Sequence, residues 1–211
     1  MGLIVKRFFA NKALCDYLKL GNMKFDDTAS WALGFHLIFP QTVSETPRKR
    51  TPTLKWICDH VMDGQDVVTP RDVIELLNKA RQFEEDECNK DPIGMTEFII
   101  SEKAIRYGYQ ELSKLKKETL LKAEFPHLWP IMERFELGKC DYNHEALIKL
   151  IGPENKRHVE DLISIGFLSK KLRGSAVIYS VPHVYRECLE ITNGRSSTSR
   201  GDAGPKVGKR K

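Results

Sequence analysis

Cysteine is scarce and scattered in this 211-residue chain: Cys15, Cys58, Cys88, Cys140 and Cys188. The number is odd and no Cys-x-x-Cys occurs, which argues against a disulfide scaffold and a zinc ribbon and fits reduced thiols in the cytoplasm. No apolar run approaches the length of a membrane span, so no membrane association is expected. Lys6 and Arg7 interrupt the apolar start, leaving no signal-peptide core. Lys6 also stands where N-myristoylation favours Ser or Thr.

Motifs of catalysis are missing as well. There is no Gly-x-x-x-x-Gly-Lys-Ser/Thr and no Gly-x-Gly-x-x-Gly. There is no Gly-x-Ser-x-Gly and no His-Glu-x-x-His. His36, His60, His127, His144, His158 and His183 lie singly, none at metal-ligand spacing from another. Cys58 and His60 are two apart on a predicted helix and so point to different faces, which reads as packing and not as a dyad. No enzyme activity and no cofactor are expected of the chain alone.

Charge of one sign is nearly absent from the folded part. The net charge is +5, and residues 194–211 carry six positive side chains against Asp202, which is also +5. Residues 1–193 are therefore formally neutral, so basicity does not mark the folded part as a nucleic-acid binder. Residues 194–211 are rich in Gly, Ser and cations and poor in apolar residues, which predicts a disordered basic tail. Such a tail either attracts phosphate non-specifically or only solubilises.

What is present is helical periodicity. The pattern predicts a mainly α protein: a helical region over 1–92, then a helical connector and a winged-helix-like domain with a short β-hairpin over 93–193. Phe8 to Leu20 carries a helical stripe ended by Gly21-Asn22, and Asp26-Asp27-Thr28 starts the next helix. Residues 41–52, with Pro47, Pro52 and Arg48-Lys49-Arg50, read as a loop. Thr53 caps a helix that ends at Asp63-Gly64, and Thr69-Pro70 starts one reaching about Glu85, with Asp72 near its positive end. Further helices are predicted over Ser101–Lys122 and Leu128–Leu137.

The last part is the most specific. Asn143 to Gly152 reads as a capped helix and Lys156 to Ile165 as a second. Phe167–Lys171 and Ala176–Val181 read as strands around Leu172-Arg173-Gly174-Ser175, with a closing helix over Val184–Thr192. Helix, turn, helix and hairpin follow in winged-helix order, and Leu162-Ile163-Ser164-Ile165-Gly166-Phe167-Leu168 is similar to a stretch common in that superfamily. An unrelated α+β arrangement of the same elements is the other reading. Lys156 and Arg157 on the second helix, and Lys170, Lys171 and Arg173 on the hairpin, are the candidate DNA contacts. Glu154, Glu160 and Asp161 oppose the first pair.

The order of pieces resembles the C-terminal half of a family of bacterial P-loop ATPases related to the AAA+/STAND group, often found in defence or signalling systems. The matching words include Ile38-Phe39-Pro40, Thr51-Pro52-Thr53-Leu54-Lys55-Trp56-Ile57 and Thr69-Pro70-Arg71-Asp72-Val73-Ile74-Glu75-Leu76-Leu77-Asn78. They continue with Ile165-Gly166-Phe167 and Val181-Pro182-His183-Val184-Tyr185-Arg186. The resemblance implies that residues 1–92 are the helical lid that follows a nucleotide-binding core. It also implies that Arg71 senses the nucleotide phosphates; an exposed first-turn arginine is the other reading. The phosphate loop and the Mg²⁺-binding strand of that family are missing, so ATP enters only with a separate core. The expected function is a non-catalytic regulatory or interaction segment with an ATPase core or another protein as partner. A free-standing winged-helix DNA-binding regulator is the alternative.

Overall fold

The computed structural model of the chain describes residues 1–20, 23–46, 48–90 and 98–196. Over these residues the protein is mainly α-helical, and no helix is long and apolar enough to cross a membrane. The N-terminal stripe is not one helix but two, α1 (Gly2–Phe9) and α2 (Lys12–Tyr17). Asn11 separates them: its backbone is extended, and its side chain accepts from the Leu14 N–H. A short amide side chain competes better as a cap than it serves in a helix interior, so the stripe breaks there. Gly21 and Asn22, the expected stop, lie outside the described residues. α3 (Thr28–Ile38) starts as expected, with Asp27 accepting from the Ser30 N–H at 2.7 Å and Ser30 Oγ accepting from the Asp27 N–H at 3.2 Å.

Three helices form the centre of the molecule: α4 (Thr53–Val61), α5 (Pro70–Lys90) and α6 (Glu102–Lys116). Thr53 is not the cap of α4. It is fully buried and its hydroxyl donates to the Pro40 carbonyl, while Pro52 holds the cap position. Thr69 does cap α5, accepting from the Asp72 N–H at 3.2 Å. α5 runs past the acidic stretch expected to end it. Glutamate is a good helix former, and Arg81–Glu85 and Lys90–Glu87 pair along the helix at 3.0 Å each. Asp72 is more than a first-turn anion: it is buried and paired with Lys116 of α6 at 2.8 Å.

Where a loop is expected over 41–52, β1 (Thr42–Thr46) pairs antiparallel with β2 (Lys49–Pro52). Val43 and Thr51 point inward, and α6 grips the outer side. Glu102 accepts from the Ser44 N–H at 3.0 Å and pairs with Arg50 at 3.0 Å, and Arg106 donates to the Ser44 carbonyl. Proline and charge disguised a short alternation whose partners lie on a distant helix.

The C-terminal part follows without a gap in the core. α6 continues as a π-helical turn over Lys117–Lys122, which sets Lys117 and Lys122 over the Trp129 ring at 5.4 and 5.3 Å. The helix expected over Leu128–Leu137 is only α7 (Trp129–Met132) and a 3₁₀ turn over Glu133–Phe135. There Leu137, at φ 59°, turns the chain into β3 (Lys139–Tyr142), a strand the patterning did not signal. α8 (His144–Ile151) has its Asn143 cap. The second helix is a 3₁₀ segment over Pro153–His158 that becomes α9 (Val159–Ser164). β4 (Ser169–Arg173) and β5 (Ala176–Ser180) are antiparallel, and β3 pairs antiparallel with β5.

α10 (His183–Arg186) is shorter than expected, and β6 (Thr192–Ser196) follows it, parallel to β3. The sheet order is β4-β5-β3-β6. Residues 194–196, assigned by composition to the disordered tail, are therefore sheet. Gly194 hydrogen-bonds the Cys140 thiol through both its N–H and its carbonyl, at 3.4 Å each. Residues 197–211 lie outside the described residues.

α6 joins the halves. Its Tyr109 hydroxyl donates to the His183 carbonyl at 2.6 Å and its Ser113 hydroxyl to the Val184 carbonyl at 2.6 Å, while Ser113 Oγ accepts from the Cys188 N–H at 3.1 Å. One apolar cluster runs from Ile4 to Ile191. On its other side α6 meets α5 at Gly108, where an added Cβ would stand 2.3 Å from the Leu76 carbonyl oxygen. Gly108→Ala must therefore push the two helices apart. It is expected to cost about 1–3 kcal/mol, read as a lower midpoint in urea unfolding followed by circular dichroism.

Candidate functional site: the basic hairpin and its docking loop

The β4–β5 hairpin begins at a tight junction. α9 ends at Ser164 with Ile165 as its C-cap, and Gly166 (φ +75°) turns the chain so that Phe167 and Leu168 enter the core and β4 can start at once. The α4–α5 loop docks against this turn. The Gly64 N–H donates to the Gly166 carbonyl at 2.7 Å, and the Gln65 side chain donates to the Ser164 carbonyl. A Cβ on Gly64 would lie 2.5 Å from the Leu168 carbonyl oxygen, so the backbones meet with no room for a side chain. Asp63 shapes the loop by accepting from the Gln65 and Val67 N–H groups at 2.9 and 3.0 Å.

The five candidate phosphate contacts are all exposed, Lys156 and Arg157 on the 3₁₀ segment and the other three on β4. Lys170 and Lys171, adjacent in β4, point to opposite faces of the sheet. Each meets an acid brought by another element: Lys170–Glu160 of α9 at 3.4 Å, and Lys171–Asp66 of the docking loop at 3.1 Å. Arg173 follows with no ion pair among the described residues, beside Leu172, which is 77% exposed. On the helix, Arg157 Nε donates to His158 Nε2 at 3.2 Å, and His158 Nδ1 meets Asp161 at 2.9 Å. Lys156 stands exposed on the same 3₁₀ turn, next to Asn155 and close in sequence to Glu154.

β4 is an edge strand, and charged side chains on an edge also discourage pairing with a foreign strand. The lysines thus have a structural role independent of any ligand. Arg71 is not part of this group. It lies exposed in the first turn of α5, and the structure brings none of the other candidates to it.

Two grooves accompany the fold. One, of about 450 Å³, lies between the end of α4, the hairpin and α10; Asp59, Asp141, Lys171, Arg173, Ser180 and Arg186 give it mixed charge. Most of these groups are already engaged: Asp59 by Lys55 at 2.7 Å, Asp141 by Ser180 at 2.6 Å, and Arg186 by the Val181 carbonyl at 2.8 Å. The other, of about 780 Å³, runs between α1 and α5 over Leu3, Phe8, Ile74 and Leu77. Among the described residues no three His, Cys, Asp or Glu side chains are grouped to hold a metal ion.

Sequence reasoning missed the ring cluster at the junction. His60 stacks on Trp56 at 3.7 Å between ring centroids and meets His183 at 4.4 Å, with the Tyr109 ring edge-on at 5.0 Å. His60 Nδ1 hydrogen-bonds the Trp56 carbonyl at 2.8 Å. Helical spacing of Trp56 and His60 was the available signal; the approach of His183 from α10 had none. Burial holds His60 at about 4 and His183 at about 3, the latter helped by the Arg186 guanidinium. Burial also pushes the Cys58 thiol up, which disfavours its thiolate and agrees with a packing role.

No protein-family model matches the chain, and no curated protein and no solved structure matches it.

The two histidines carry a pH dependence. Below about 6.5 the unfolded chain binds protons that the folded chain refuses, so stability falls as pH drops towards the folded values. The loss is expected to reach about 2 kcal/mol per histidine by pH 5. Glu45 and Asp59 oppose it slightly, while Arg106 acts on His60 in the same direction as burial. Urea midpoints between pH 7.5 and pH 5 should fall accordingly, and His183→Phe should remove about half of that fall, taking the two contributions as similar.

Proposed function

We propose that the chain is a non-catalytic interaction segment. In this reading a winged-helix module is carried on a lid-like helical body, and it works with a P-loop ATPase core supplied from elsewhere. The observation that carries the module is the strand pairing. β3, between α7 and α8, pairs with β5, and β5 pairs with β4, giving a three-stranded antiparallel unit after helix, strand, helix, helix and hairpin. That is the winged-helix order, with β6 as an added edge.

Engagement of the wing lysines supports a protein partner over nucleic acid. Lys170 and Lys171 are already paired, and Glu160, Asp161 and Glu154 accompany the helix that would face a groove. Exposed Leu172 at the wing tip suits an apolar contact. Arg71, exposed at the N-terminus of α5, is the residue of this chain assigned to a nucleotide. One arginine supplies charge but no cradle of backbone N–H groups, so the triphosphate is held by the core and not by this chain.

Two measurements test the reading. Purified chain should show no ATP turnover, with or without Arg71→Ala; turnover abolished by that substitution would overturn it. A DNA-binding regulator would bind duplex with salt-dependent affinity after truncation behind Ser196, which leaves β6 whole. The expected outcome is that binding by the full chain is lost with residues 197–211, which carry five cations against one anion.

A further inference from the structure

We infer that Asp66 and Glu160 mask a latent polyanion-binding edge formed by Lys170, Lys171 and Arg173, and that removing these two carboxylates turns the hairpin into a phosphate-backbone contact for duplex nucleic acid. Neighbouring strand residues face opposite ways, so one acid cannot cover both lysines. Each face receives its own: Glu160 from α9 beneath, Asp66 from the docking loop on the other side.

Asp66 is placed there by construction. Its backbone is left-handed (φ 60°), its N–H donates to the Asp63 carbonyl at 3.2 Å, and the loop is pinned by Gly64 on Gly166 and Gln65 on Ser164. An aspartate tolerates that conformation better than most residues. The loop thus presents a fixed carboxylate to a lysine 105 positions away in sequence. Arg173, one pleat beyond Lys171 on the same face, makes no ion pair among the described residues, although Asp59 and Asp141 line the same groove and are held by Lys55 and Ser180.

The masking is reversible because the pairs are exposed. Lys171 and Asp66 are 59% and 62% accessible, and such pairs are weak in water. What they do control is the local field. Both acids lie within a Debye length of the lysines, so an approaching phosphate meets their repulsion as well as occupied ammonium groups. Unmasking therefore adds two phosphate contacts and steepens the salt dependence by about two in slope. This inference goes beyond the proposed partnership with an ATPase core: ATP turnover would overturn that partnership without touching duplex binding.

The test is fluorescence anisotropy of a short labelled duplex titrated with full-length chain at several salt concentrations. Asp66→Asn/Glu160→Gln is expected to bind about tenfold tighter at low salt with the steeper slope. Lys170→Ala/Lys171→Ala in the same background should remove the gain. Asp16→Asn/Asp86→Asn changes net charge equally at exposed acids on α2 and α5 and should produce little gain. An equal gain in that control, a gain that survives loss of the lysines, or no gain would each overturn the inference. Circular dichroism melts check that each variant is folded. Glu160→Gln alone, which leaves the docking loop intact, reads half of the effect should the double variant unfold.

Discussion

The contact on which the rest of the molecule depends is the approach of α6 to α5 at Gly108. It brings two helices of opposite direction, locked by Asp72–Lys116 near one end and Glu87–Lys103 near the other, to a separation set by backbone and not by side chains. One residue along, Tyr109 turns to the other side of α6 and holds α10; one helical turn later, Ser113 does the same. The spine therefore fixes both neighbours at once. It sets where α5 begins, hence where the loop before it lies, and it sets the C-terminal sheet against which that loop closes. Desolvation explains why the hydroxyls are spent on carbonyls: a buried polar group needs a partner, and α10 is too short to satisfy its own backbone.

Charge is distributed on a different plan. The described body pairs about half of its lysines and arginines with carboxylates, mostly at accessible positions, where a pair adds little to stability. Such pairs matter more for what the surface shows to a partner. The hairpin illustrates this, since three clustered cations in the sequence become two engaged lysines and one arginine with no ion pair among the described residues. A reading of net charge alone places the basicity in residues 194–211, and a reading of local charge alone places it on the hairpin. The geometry makes the second conditional on acids contributed by two other elements.

Much of the architecture was legible, and the failures have a common cause. Caps at Asp27, Thr69 and Asn143, and the Gly174 turn of the hairpin, depend on a few neighbouring residues, and each stands where the sequence places it. β1, β2, β3 and β6 do not depend on neighbours. Ser44 and Arg50 are held in strands by Glu102 and Arg106 of α6, and Thr192 to Ser196 pair because β3 offers an edge. Composition saw only proline, glycine and charge there. The candidate site divides in the same way. Lys170, Lys171 and Arg173 were visible as a group. Asp66, Glu160 and the fit of Gly64 against Leu168 were not, since they lie across tertiary contacts with no local signature. β3, on whose pairing the winged-helix reading rests, is among the strands that periodicity did not find.

The position of β6 has a geometric corollary. It closes the sheet on the side away from β4, so the last described strand stands at the opposite edge from the β4–β5 hairpin. Strands lie about 4.8 Å apart, which places the two edges about 14 Å from one another across the sheet. Arg195 of β6 therefore stands at one border of the sheet, while the hairpin's cations stand at the other. The sheet is a spacer: its four strands set a fixed width between the hairpin and the strand that ends the described chain.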